Sequence, residues 1–147
     1  MTMDARAQHK QADRLVLWGL VLFLAGLIVG LLVPHAANPR MALAAHLEGV
    51  MNGLFLVVLG LIWNRLVLSG ALLKTAFILA VYGTFANLVA VLLAAVTGYG
   101  GMMPLAGGKE GTGIVEAAIS FLLVSLSLCM IAVCILVLAG FYRRTNA

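Results

Sequence analysis

Asn38-Pro39-Arg40-Met41-Ala42-Leu43-Ala44-Ala45-His46-Leu47-Glu48-Gly49-Val50-Met51-Asn52-Gly53-Leu54-Phe55 is the stretch on which the chain turns. A proline-broken loop runs here into an apolar helix. Within about two turns that helix carries a histidine, a carboxylate, a carboxamide and two glycines. Ionisable groups beside lipid are expensive and by default mark function. The stretch therefore fixes a helix start and a candidate site together.

The rest of the chain supplies the lipid. Of 147 residues, 64% are hydrophobic and only 10% charged, with a mean hydropathy of +1.15. A soluble domain is nearer half apolar and a quarter charged, so the class is an all-α integral membrane protein. A bilayer core takes roughly 20 apolar residues per helix, which allows four spans in a single membrane domain, 1–147. They fall at roughly residues 15–33, 43–68, 72–97 and 112–142. The first apolar run is longer than a signal-peptide core and no cleavage site follows it, so it is expected to stay as the first helix. Residues 1–14 read as a short, flexible, solvated tail.

The net charge of +4 does not imply nucleic-acid binding, because the charges sit at span ends where orientation signals belong. Arg6, Lys10, Arg14, Arg65, Lys74, Arg143 and Arg144 lie in the tails and the second loop, against only Arg40 and Lys109 in the first and third loops. The bias puts both termini in the cytoplasm, in keeping with a bacterial inner membrane. Cys129 and Cys134 lie within a span and form no disulfide framework.

Each helix carries some expected packing detail. Gly19, Gly26 and Gly30 share a face of the first, and Gly26-x-x-x-Gly30 permits close helix approach. Trp18 is placed as an aromatic-belt residue, and Trp63 as interfacial. On the third, Gly83, Asn87, Ala90, Ala94 and Thr97 form a small or polar seam, with Tyr82 beside it. On the fourth, Glu116, Ser120, Ser127, Ile131 and Cys134 recur at helical spacing and are expected to face the bundle. The glycine-rich third loop, 98–111, is read as a connector, with a lid or re-entrant cap as the alternative. Its Gly-Gly-Lys-Glu is not a phosphate loop, which needs Gly-Lys-Ser/Thr after a strand.

At about 100° per residue, Glu48 and Asn52 are neighbours at i, i+4, whereas His46 points nearly the other way. On the histidine side lie Gly49 and Gly53, whose missing bulk would let a flat macrocycle approach. Three roles stay open for His46: an interfacial group bonded to a carbonyl, a proton shuttle, or a metal ligand, with haem iron the best-fitting metal. Glu48 either pairs with Arg40 or does chemistry. Asn52 and Asn87 either join helices or orient a polar substrate atom.

Asn38-Pro39-Arg40-Met41, the run from His46 to Phe55, and Tyr82-Gly83-Thr84-Phe85-Ala86-Asn87 resemble the hydroxylaminobenzene mutase family. More distantly, His46-x-x-x-x-x-Asn52-Gly53 and Ala86-Asn87 resemble styrene oxide isomerase. The resemblance implies a redox-neutral isomerase that converts an arylhydroxylamine (hydroxylaminobenzene) to a 2-aminophenol, as in nitroaromatic degradation. It also implies a haem b homotrimer of four-helix subunits, with iron held by His46, and with Asn52 and Asn87 lining the substrate pocket. Val91 stands where the epoxide isomerases carry a tyrosine, which argues against epoxide chemistry and leaves Tyr82 or Tyr99 as substitutes. Glu48 and Glu116 are the candidate proton carriers. Because His46 and Asn52 face apart, a cyclic oligomer is expected, in which they serve different haems. A b-type electron carrier and a cofactor-free transporter or assembly subunit are the competing classes.

Overall fold

The structure, a computed structural model, describes residues 5–146. It is all-helical: α1 (Ala5–Leu32), α2 (Pro39–Ile62), α3 (Gly70–Thr97) and α4 (Ile114–Thr145), with single 3-10 turns after α1, after α2 and in the third loop. All four helices are long and apolar enough to cross a bilayer.

Local chemistry sets the ends. Asn38 caps α2, its Oδ1 accepting from the amides of Arg40 and Met41 at 3.1 and 3.2 Å, with Pro39 in the first turn where no amide is needed. Ser69 caps α3, and Gly98 ends it at φ +75°, a left-handed turn that glycine takes without penalty.

α1 begins ten residues earlier than the apolar pattern indicates. The polar segment 5–14 is helical and packs, while residues 1–4 of the expected tail lie outside the described residues. The reason is hydrogen bonding. Gln8 Nε2 donates to the carbonyls of Trp63 and Leu66 at 2.9 and 3.3 Å, and Trp63 Nε1 donates to Gln11 Oε1 at 3.1 Å. Gln8 thus ties the extra turns of α1 to the turn that follows α2, where the Trp63 carbonyl also accepts the Leu66 amide at 3.1 Å. Trp63 is consequently fully buried within the protein. Trp18 is partly outward-facing and meets Phe85 edge-on at 5.8 Å.

Sequential helices pack as neighbours, and the α1–α2 seam is the tightest. An added Cβ would meet Gly49 Cα at 3.0 Å from Gly26, Gly19 O at 2.7 Å from Gly53, and Ala12 O at 2.8 Å from Gly60. Small residues let backbones touch where lipid offers no hydrophobic drive for association. α4 is the outlier. It packs on α3 and on the turn after α2, and is buried only at Ile119, Val133 and Gly140. The stripe expected to face the bundle does so only in part: Ile131 is 59% exposed, whereas Cys134, though exposed, borders a cleft toward α2. Gly83 of α3 receives Met130 instead.

The connection between α2 and α3 meets both chain ends, through Gln8 and through the Val67 amide on the Gly140 carbonyl at 3.2 Å. The first and third loops meet at the opposite end. There Asn38 Nδ2 donates to the carbonyls of Ala106 and Gly107 at 3.1 and 3.0 Å. The third loop is thus a pinned cap: Lys109 N bonds Gly98 O, and Gly108 N bonds Met103 O.

Candidate functional site

α2 presents two different faces. Toward α3, the Glu48 carboxylate accepts at Oε2 from Asn52 Nδ2 at 3.3 Å and from Asn87 Nδ2 at 2.7 Å. The first is the i, i+4 pair that helix geometry demands; the second joins α2 to α3. All three side chains are half-buried. Glu48 bonds these carboxamides rather than Arg40.

Toward α1, His46 Nδ1 lies 2.8 Å from the Gly26 carbonyl. A carbonyl only accepts, so the proton sits on Nδ1 and the lone pair on Nε2. Metal-bound histidines commonly take this form, the second ring nitrogen donating to a backbone oxygen. Gly30 makes the berth: a Cβ there would stand 2.7 Å from Nδ1 and 3.0 Å from Cε1. The sequence signal for this was the Gly26-x-x-x-Gly30 pair, read as packing alone.

Gly49 and Gly53 take another role than the one expected. Both lie on the histidine side but are buried against the α1 backbone at Gly26 and Phe23, so their open faces are filled by helix packing and not left for a macrocycle.

Two further candidates stand apart from the carboxylate–carboxamide cluster. Glu116 accepts from the amides of Gly100 and Gly101, one on each oxygen, both at 3.0 Å. It holds the cap against the start of α4. The Tyr82 hydroxyl pairs with Ser125 Oγ at 2.7 Å on the α3–α4 surface, about 140° round α3 from Asn87. Val91, in the position where the resemblance has tyrosine, is buried.

An apolar cleft lies between α2 and α4, which do not pack on each other. Of about 270 Å³, it is lined by Phe55, Val58, Leu59 and Ile62 facing Cys134, Val137 and Leu138. Glu48, Asn52, Phe55, Leu59 and Ile62 follow i, i+4, i+7, i+11, i+14 and form one stripe of α2. The polar cluster therefore heads a stripe that continues into an apolar cleft. Sequence reasoning had not singled out this cleft. Among the described residues, no three His, Cys, Asp or Glu side chains gather as a metal site.

Four membrane-length helices, with a polar cluster at the head of an apolar cleft, define a small membrane protein. Its residues 11–142 match the styrene oxide isomerase family, and the chain belongs to that family. It is 54% identical over 131 residues to hydroxylaminobenzene mutase HabB of Ectopseudomonas oleovorans, covering 88% of this chain and 80% of that protein. To HabA of the same organism it is 46% identical over 127 residues, covering 85% and 94%. No solved structure matches the chain. The protein is an enzyme, a membrane isomerase or mutase.

Proposed function

We propose that this enzyme rearranges an arylhydroxylamine such as hydroxylaminobenzene to a 2-aminophenol within the membrane. The observation that carries the reading is the convergence of Asn52 and Asn87 on Glu48, in a family whose relatives here are named for that substrate. The reaction is an isomerisation. The N–O bond breaks, a C–O bond forms at the ortho carbon, and the ring proton lost there is balanced by the proton gained at nitrogen. No electron donor is consumed.

In this reading the aryl ring lies in the apolar cleft, and the hydroxylamine group lies against Asn52 and Asn87. Cluster and cleft hold the two in register, and positioning of this kind contributes several kcal/mol, about 7–11 in the best cases. The Glu48 carboxylate faces the positive charge that develops on the ring, an electrostatic stabilisation aimed at the transition state. It is also the base nearest the ring proton. Glu116 is proposed to hold the cap, because both its oxygens are bound by backbone amides.

The cofactor is proposed to be haem b. The donor set fits: His46 keeps its proton on Nδ1 toward Gly26, leaving Nε2 for iron. Haem bound there would supply Lewis acidity toward the hydroxylamine oxygen. A cyclic homotrimer is proposed, in which the opposed directions of His46 and Asn52 on one helix would let each site be shared between neighbours. It gains support from the outward face of α4, where Phe121, Val124, Leu128, Ile131, Ile135 and Leu138 recur at alternating three- and four-residue steps. Orientation with both termini in the cytoplasm of a bacterium is proposed from the basic residues.

Membranes carrying the protein, given phenylhydroxylamine, are expected to yield 2-aminophenol. A 4-aminophenol product, or no turnover, would overturn the reading. Purified protein should show a haem absorption band that His46→Ala removes together with activity. A colourless active preparation would refute the haem assignment alone.

A further inference from the structure

The cluster on α2 and α3 has a polarity that its hydrogen bonds dictate. A carboxylate only accepts. The carboxamide atoms 3.3 and 2.7 Å from Glu48 Oε2 must therefore be nitrogens. Flipping either amide would set oxygen against oxygen at hydrogen-bond distance, so Glu48 locks both asparagines in one of their two orientations. Each carboxamide oxygen is then turned away from the carboxylate. Neither Asn52 Oδ1, nor Asn87 Oδ1, nor Glu48 Oε1 accepts a hydrogen bond among the described residues, and no buried side-chain polar atom among them lacks a partner. The three oxygens therefore each keep some accessible surface on half-buried side chains.

We infer that Glu48 is a positioning and specificity-determining residue, which fixes Asn52 and Asn87 so that the site selects ligands carrying N–H and O–H donors. The inference rests on the proposed arylhydroxylamine reaction, whose substrate offers one donor of each kind. It goes further in naming what the site excludes. A molecule of the same size with only acceptor atoms, such as an epoxide or an N,N-dialkylated aniline, gains nothing from the three oxygens and is left with only the second N–H of each carboxamide. A site built to bind donors leaves its own polar groups unpaired with such a molecule, and rejects it strongly. In this chain the acceptor cluster is thus a physical means of disfavouring epoxides, additional to the absence of a hydroxyl at Val91.

The test compares aniline, with two N–H donors, and N,N-dimethylaniline, with none. Equilibrium dialysis against the detergent-solubilised full-length protein gives both dissociation constants without needing turnover, and their ratio does not depend on the fraction of protein folded. The wild type is expected to prefer aniline by about a hundredfold, the yield of one to two hydrogen bonds to a charged acceptor group. Glu48→Gln frees the amides to flip and present donors. The preference should fall to about tenfold or less, mainly through tighter binding of the dimethyl compound. Glu48→Ala reads the same ratio if the glutamine variant does not accumulate, and should lower it likewise. A ratio within twofold of wild type in either variant overturns the inference, as does a wild type that binds both anilines equally. Failure of the proposed reaction is seen separately, in the absence of phenylhydroxylamine turnover by the wild type.

Discussion

Gly49→Ala tests how the α1–α2 seam supports His46. A Cβ at Gly49 would stand 2.6 Å from Gly26 Cα and 3.0 Å from Gly26 N. Carbon atoms in contact prefer about 3.5–4.0 Å, so the shortfall is about 1 Å. Both opposing atoms are backbone and no rotamer relieves them, so the helices must part. Overpacking of this kind is destabilising by about 1–3 kcal/mol. Parting also stretches the 2.8 Å contact between His46 Nδ1 and Gly26 O to about 3.8 Å, past hydrogen-bond range, at a further cost of about 1 kcal/mol. The expected total is about 2–4 kcal/mol, read from the SDS-unfolding midpoint of purified protein. Leu61→Ala, at an outward-facing position of the same helix, should change stability by no more than about 0.5 kcal/mol. A double-mutant cycle of Gly49→Ala with His46→Ala should return about 1 kcal/mol of coupling. A Gly49→Ala protein as stable as wild type would refute the seam, and zero coupling would refute its link to the histidine.

Glu116→Gln keeps one acceptor and places an NH₂ against a backbone N–H. It should speed hydrogen exchange at Gly100 and Gly101 about ten- to a hundredfold, the loss of one hydrogen bond to a charged group, and unchanged exchange would mean that the clamp is not formed. Asn38→Asp retains the cap of α2 but turns an oxygen toward the carbonyls of Ala106 and Gly107. A loss of about 1–3 kcal/mol is expected, and a melting temperature equal to wild type would show that the loops are not tied there. Tyr82→Phe removes only the bond to Ser125. Stability should drop by about 1 kcal/mol or less with turnover kept; a tenfold loss of activity would return Tyr82 to the reacting site.

Much of this was legible in the chain because membrane helices are governed by local rules. Every backbone group in lipid must bond within its own helix, so four apolar runs give four helices. Asn38-Pro39 caps α2 by its own chemistry, yet the apolar pattern set the helix at 43–68, where the structure has Pro39–Ile62. The i, i+4 spacing brings Glu48 to Asn52 and turns His46 away whatever surrounds them. The glycines of α1 were equally readable as a close-approach face. α4 was not. It is apolar nearly all round, so lipid-facing and bundle-facing sides look alike in sequence, and Ile131 was set on the wrong side. The early start of α1 and the burial of Trp63 were hidden for a different reason. They depend on Gln8 and Gln11 reaching the end of α2, more than fifty residues away.

The sequence by itself determined the class, the helix count and the division of α2 into a histidine face and a carboxylate face, since these follow from hydropathy and from 3.6 residues per turn. Only the tertiary structure decided what each face meets. It filled Gly49 and Gly53 with α1, set His46 on the Gly26 carbonyl under Gly30, and brought Asn87 to Glu48 from thirty-nine residues away. The distinction is one of range. Angles within a helix are fixed by its backbone, whereas a partner across the bundle is fixed by how closely two helices can pack.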